Sequence, residues 1–428
     1  MTETTVAVLA LIVLGWAAVS GALARHDITG PFLFAFAGYV LANPDWGPLT
    51  VDVDTAPVHK VAEVTLALVL FSDAARVNLT KLRRDLWIPM RLLTIGLVLS
   101  MVLGALFAGW ILVGLPWALA GFVGAALAPT DAALSVAIIN DKRIRLRIRR
   151  ALNVESGLND GIATPIVVFM LAVAASQLGI THESASREVG AALRELGGGI
   201  VTGIAVGLGG ALLISTSARR GWIMSSGRQL GTLSVAIAAF AMALAFDTNG
   251  FLAAFVAGVA FGAALDGKVI DRDEAIELPE LGGELLALVV WFLFGATLVP
   301  IAIEHLDWRA VVYALASLTV IRMLPVALSL VRSGLDRPSV VFIGWFGPRG
   351  LASVVFALLA IEELGTTAPE VRRAVATVAL TVLLSVALHG ITARTGGQRY
   401  LQSEQNQPAS EPAPRSRRTT LSAPRTTP

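Results

Sequence analysis

Long apolar runs separated by short polar stretches repeat along almost the whole chain. They cover residues 4–24, 28–42, 58–78, 90–113, 116–139, 151–176, 188–216, 228–246, 249–265, 282–302, 309–331, 338–361 and 371–393. Most are long enough to cross about 30 Å of hydrocarbon as a helix rising about 1.5 Å per residue. The runs at 28–42 and 249–265 are the shortest. The pattern predicts an all-α polytopic membrane protein of about thirteen transmembrane helices. Three runs depart from it by carrying polar or helix-breaking groups near their middles. These are "APTD" at 128–131, "ESGLND" at 155–160 and "GPRGLAS" at 347–353.

Composition supports the class: the 428 residues are 55% hydrophobic and only 15% charged, with a mean hydropathy of +0.72. A soluble domain of this size exposes more charge. The first run follows Glu3 and has no basic residues before it, so it reads as a first transmembrane helix and not a cleaved signal. Lysine and arginine set the orientation. With an odd number of helices and a cytoplasmic C-terminus, the N-terminus lies outside. The loops assigned inside then hold Lys81, Arg83, Arg84 and Arg91, next Lys142, Arg143, Arg145, Arg147, Arg149 and Arg150, and then Arg219, Arg220 and Arg228. The loop at 43–57, assigned outside, has Asp45, Asp52 and Asp54 and no Lys or Arg, as the positive-inside rule requires. Residues 394–428, rich in Pro, Ser, Thr, Gln and Arg, read as a disordered cytoplasmic tail whose bases can touch anionic lipid. A formal charge of +2 suggests no nucleic-acid partner, and the absence of cysteine removes disulfides and thiolate metal sites.

Pro129 and Pro348 each remove a backbone donor and crowd the carbonyl a turn earlier, so the fifth and twelfth helices should unwind there. The two breaks lie seven helices apart, an odd offset. That predicts inverted-topology repeats, helices 1–6 and 8–13 with helix 7 as connector, and a site where the discontinuous helices meet at the midplane. Asp131 should lie near a positive half-helix start, whereas Arg349 needs a carboxylate or the negative end of a half-helix.

Ionisable groups at this depth are costly enough to be functional candidates. They are Asp73, Asp131, Glu155, Asp160, Arg322 and Arg349. Ser156 and Asp160, four residues apart, share a helix face, and Glu155 and Asn159 share a neighbouring one. Glu155 points about 140° away from Asp160. Glu155 is expected to pair with Arg349 and hold the broken twelfth helix to the sixth, and Arg322 to neutralise a neighbouring acid. Asp160 is left without a cationic partner. A buried carboxylate in that position is relieved by a proton or by a bound cation, and competition between the two is the minimal machinery of antiport. The Asp160 carboxylate, the Ser156 hydroxyl and the freed Thr130 carbonyl are hard oxygen donors, suited to an alkali cation. With so few acids, a monovalent ion fits best. Asp73 is expected to face the ion pathway. His389, inside the last helix, reads as hydrogen-bonded packing, and the glycines of "ELGGGIVTGIAVGLGG" as close helix contacts and not a phosphate loop.

The three motifs together resemble the signature segments of the monovalent cation:proton antiporters, most closely the NhaP type, over about residues 4–393. The resemblance implies a homodimer in which an ion-transporting core (90–176 and 309–393) moves like an elevator against a dimerisation scaffold (1–89 and 228–302), with 188–216 connecting them. It implies Asp160 as the shared cation and proton carboxylate and Ser156 and Thr130 as oxygen ligands. Asp131 would support the site, Asn159 orient it, and Glu155 with Arg349 form a structural ion pair. The Asn159–Asp160 pair resembles the electroneutral branch, and Asp73 stands where relatives often carry glutamate. The expected function is exchange of Na⁺ (or Li⁺) for H⁺ across the cell membrane, without a cofactor and not as an enzyme. K⁺/H⁺ exchange by the same fold is the alternative, and a cation channel a distant one, since no carbonyl-lined filter sequence is present. An intramembrane hydrolase would require a recognisable HExxH or two catalytic acids facing each other.

Overall fold

The structure, a computed structural model, describes residues 3–405 except 27, 44–45, 50, 52–55, 78–86, 132–133, 135–140 and 181–184. Its first helices are α1 (Glu3–Ala24), α2 (Gly30–Leu41), α3 (Ala56–Arg76), α4 (Trp87–Ile111) and α5 (Trp117–Ala126). They are followed by α6 (Leu146–Gln177), α7 (Ala185–Arg219), α8 (Ser225–Ala245) and α9 (Gly250–Ala264). The last are α10 (Arg272–Glu304), α11 (Trp308–Ser329), α12 (Arg337–Trp345), α13 (Leu351–Leu364) and α14 (Pro369–Gln405). Each expected run has a helical counterpart, and the run at 338–361 is divided between α12 and α13. Of the run at 116–139, residues 132–133 and 135–139 lie outside the described residues. So do Lys81, Arg83, Arg84, Asp45, Asp52, Asp54 and the tail from 406.

Among the described residues, eight helices are long and apolar enough to cross a membrane, while α2, α5 and α9 are shorter apolar helices. Helices α6 and α10 begin several residues before their apolar runs. Hydropathy marks the part that faces lipid, whereas backbone hydrogen bonding continues into the polar flank. The same difference corrects the tail boundary: α14 runs through 394 to Gln405. The side chain of Tyr400 explains this, being buried against Phe342 with ring centroids 4.5 Å apart and its hydroxyl 3.1 Å from Ser339 Oγ.

Small residues decide how closely the helices approach. Glycines 199, 203 and 207 recur every four residues along one face of α7. A Cβ at Gly199 would lie 2.7 Å from the carbonyl oxygen of Asn249, and one at Gly203 would lie 2.6 Å from that of Ala253. The α7 backbone therefore rests directly on α9, the packing that small-residue stripes permit in lipid. Gly258 and Gly262 of α9 do the same against the carbonyls of Phe71 and Ala75 on α3. Helices α2, α3 and α7–α10 thus pack among themselves, and α4–α6 with α11–α14 form a second group. The two groups meet where α3, α7 and α9 lie against α6, α3 against α13, and α10 against α13 and α14. Phe255 of α9 fills the notch left at Gly161 of α6, one residue from Asp160.

Candidate functional site

Both breaks are present. Helix α5 ends at Ala126, and residues 127–131 continue without helical structure past Pro129. Helix α12 ends at Trp345 and α13 begins at Leu351, leaving 346–350 unwound around Pro348. In hydrocarbon every carbonyl and N–H so released must find a partner inside the protein. The two breaks supply one another: Asp131 N–H donates to Pro348 O at 2.8 Å, and Leu351 N–H donates to Asp131 Oδ2 at 3.0 Å. Asp131 thereby caps the N-terminus of α13, where a carboxylate is favoured by the free N–H groups and the helix dipole. Gly350 makes this contact possible, because any Cβ there would collide with the Asp131 carboxyl group. Ser353 Oγ donates to Ala126 O at 2.6 Å, closing the end of α5.

Helix α6 crosses the first break. Ser156 Oγ donates to Thr130 O at 2.7 Å. Asn159 Nδ2 reaches Thr130 Oγ1 at 2.8 Å and Thr130 O at 3.3 Å. The Thr130 carbonyl, expected to be free for a cation, therefore has both lone pairs engaged. The correction follows from the same requirement that no released carbonyl stay bare in lipid. The Ser156 and Thr130 hydroxyl oxygens keep lone pairs beyond these bonds. Asn159 Oδ1 is buried with no hydrogen-bond partner among the described residues.

Asp160 is the exception to this satisfaction. Its backbone oxygen accepts Thr164 Oγ1 at 2.7 Å, but its carboxylate makes no hydrogen bond or ion pair among the described residues. The charged groups acting on it are two further carboxylates, Asp131 and Asp73. Asp73 approaches from α3 beside Gly157, where a Cβ would make only ordinary contact with it, 3.7 Å from the Asp73 Cβ. Carboxyl groups gathered where water is scarce do not all ionise together, so the cluster favours whatever positive charge arrives, a proton or a cation.

The expected pairing of Glu155 with Arg349 is not what the structure contains. Glu155 accepts a bidentate pair from Arg322, Nη1 to Oε1 at 2.5 Å and Nη2 to Oε2 at 3.0 Å, with both side chains 1% exposed. The reason lies in α11, which is interrupted at Thr319 (φ −115°, ψ −92°). The bend brings Arg322, three residues on, against α6. Gly347 makes space for its guanidinium, since a Cβ there would lie 2.6 Å from Arg322 Nε. Arg349 instead donates to Gly347 O at 3.0 Å and Ser317 O at 3.2 Å. Ser317 lies in the last turn before the interruption, where carbonyls carry partial negative charge. Arg322 thus neutralises an acid, as expected, and that acid is Glu155. Sequence reasoning missed Ser353 and Ser385, whose hydroxyls serve the breaks. Isolated small polar residues within apolar helices were the available signal.

An all-helical membrane protein with two interrupted helices facing each other beside buried carboxylates has the architecture of carriers that bind at discontinuous helices. The sequence profile described as "Sodium/hydrogen exchanger, transmembrane" matches residues 7–395, and the chain belongs to that family. It is 26% identical over 363 residues to the K(+)/H(+) antiporter NhaP of Alkalimonas amylolytica, covering 84% of this chain and 61% of that protein. It is 25% identical over 336 residues to the K(+)/H(+) antiporter NhaP2 of Shewanella sp. (strain ANA-3), covering 77% and 56%. The chain therefore spans about three-fifths of the length of the curated relatives it matches. Its fold is that of the sodium proton antiporter MjNhaP1 from Methanocaldococcus jannaschii, with a TM-score of 0.76 at 19% identity, covering 93% of this chain and 99% of that one.

Proposed function

We propose that the protein exchanges Na⁺ or Li⁺ for H⁺ across the cell membrane by alternating access, one for one, with cation and proton competing for Asp160. One observation carries this reading: among the described residues the Asp160 carboxylate has no counter-charge and is acted on by Asp131 and Asp73, one turn along α6 from Ser156, which holds Thr130. Either a proton or an alkali ion relieves it, and one site cannot hold both. Asp131 and Asn159 hold the surrounding backbone, and Glu155 with Arg322 anchors α11 to α6. Membership of the exchanger family supports ion exchange. The two packing groups support a core, 90–176 with 309–393, moving against a scaffold, 1–89 with 228–302, around 188–216. In a homodimer the scaffold would meet its copy, and the apolar flank of α1 that this chain leaves uncovered suits that role. The N-terminus lies outside and the C-terminus in the cytoplasm.

A second reading, K⁺ for H⁺, is favoured by the names of the relatives above. Inverted membrane vesicles preloaded with acid separate the two. Na⁺ and Li⁺ are expected to alkalinise the lumen and K⁺ to leave it unchanged. A response to K⁺ alone selects the second reading, and no response to any of the three removes both. One-for-one exchange has its own check in proteoliposomes: a membrane potential imposed without a pH gradient is expected to drive no net transport.

A further inference from the structure

The last helix carries two polar side chains that reach the second break. Ser385 and His389 lie four residues apart on α14, hence on one face, and both are buried. Helix α14 packs against both halves of the broken helix, α12 and α13. Elsewhere on α14, Thr377 and Thr381 turn back to the carbonyls of Arg373 and Thr377, at 2.8 and 2.7 Å, the usual resort of a hydroxyl inside a helix. Ser385 does otherwise. Its Oγ accepts the Arg349 N–H at 2.7 Å, an otherwise orphaned donor just ahead of α13.

His389 serves the other side of the gap. Its Nε2 lies 2.9 Å from the carbonyl oxygen of Trp345, the last residue of α12, and its ring stacks on the Trp345 indole at 5.4 Å. Its Nδ1 lies 3.3 Å from Ser385 Oγ and 2.9 Å from Ser385 O. With the proton on Nε2, His389 donates to Trp345 O while Ser385 Oγ accepts the Arg349 N–H; Nδ1, between Ser385 Oγ and Ser385 O, can donate to that carbonyl only when it carries a proton itself. One pair of side chains therefore ties down residues 345 and 349, the two edges of the unwound stretch.

That stretch in turn holds the first break. Pro348 O accepts the Asp131 N–H, the Leu351 N–H is received by Asp131, and Thr130 is fixed to Ser156 and Asn159 beside Asp160. We propose that Ser385 and His389 are positioning residues for cation binding, a clasp on α14 that sets the span of the second break and, through Asp131, the oxygens around Asp160. The proposal rests on the reading that Asp160 is the cation site.

The test uses the purified full-length protein in proteoliposomes, with Na⁺ and K⁺ each titrated as the driving ion. His389→Gln places an amide N–H near the position of Nε2 and can still reach Trp345 O. His389→Asn places it near Nδ1 and cannot, and His389→Phe keeps the volume and the stacking alone. Asn and Phe are expected to raise the half-saturating cation concentration about fivefold, the effect of one lost hydrogen bond, with the maximal rate unchanged. Gln is expected to restore it to within about twofold, and Ser385→Ala to behave like Asn. Wild-type values for Phe and Asn, or equal values for Gln and Asn, would overturn the clasp, as would a loss confined to the maximal rate. Asp160→Asn run alongside keeps the two claims apart. Normal exchange by that variant removes the site itself, whereas its inactivity beside wild-type behaviour of all His389 and Ser385 variants removes only the clasp.

Discussion

Asp160→Asn is expected to abolish cation-dependent proton movement down to the background of empty vesicles, while the protein remains folded. The substitution conserves shape and removes one negative charge. The attraction between that charge and a monovalent ion about 4 Å away is about 4 kcal/mol at an effective dielectric of about 20. That corresponds to about three orders of magnitude in cation affinity, far more than the hydroxyls of Ser156 and Thr130 can make good. Proton binding at this position is lost outright, because an amide does not titrate there. Stability should move little and in the favourable direction. The carboxylate forms no hydrogen bond or ion pair among the described residues, and the Thr164 hydroxyl bonds the Asp160 backbone, which the change leaves in place. Thermal melting in detergent alongside vesicle transport checks both halves. Loss of transport accompanied by unfolding would mean that Asp160 is structural.

Glu155→Gln and Arg322→Gln are each expected to cost about 3–5 kcal/mol of stability, because either leaves an unpaired charge in a site sealed from water. The double variant Glu155→Gln with Arg322→Gln should recover much of that loss, since an amide pair carries no net charge to strand. Arg349→Gln should behave differently. Arg349 donates to two carbonyls, so its loss leaves the Glu155–Arg322 pair intact and should add to the cost of Glu155→Gln instead of rescuing it. Melting temperatures of the three singles and two doubles decide the matter. Rescue by Arg349→Gln and not by Arg322→Gln would restore the pairing suggested by sequence.

The contrast between those two arginines shows where sequence stops being informative here. Hydropathy placed each helix, and the prolines at 129 and 348 located both breaks, because crossing hydrocarbon and lacking an N–H are local properties of the chain. The pattern Glu155, Ser156, Asn159, Asp160 singled out α6 for the same reason: spacing on a helix fixes which groups share a face. The partner of Glu155 was not local. Arg322 and Arg349 are equally charged and equally deep in sequence, and the interruption of α11 at Thr319 chose between them. Nothing in "LTVIRMLP" announces that bend at Thr319, since Pro325 lies six residues later. The Thr130 carbonyl was misjudged because a break frees backbone groups and also obliges neighbours to take them up. Ser156, expected to serve the ion directly, and Asn159, expected to orient the site, serve the backbone first. The helix beyond 394 escaped notice because its polar composition resembles a tail, while one buried tyrosine holds it to α12.

The exclusivity of the two passengers at Asp160 is best measured by titrating Na⁺ into purified protein in weakly buffered detergent solution and recording the protons set free. Binding is expected to release about one proton per ion, and cation affinity to fall about tenfold for each pH unit on the acid side. Both signals should vanish in Asp160→Asn. Saturable Na⁺ binding that releases no proton, with an affinity indifferent to pH, would contradict the competition on which exchange is proposed to run.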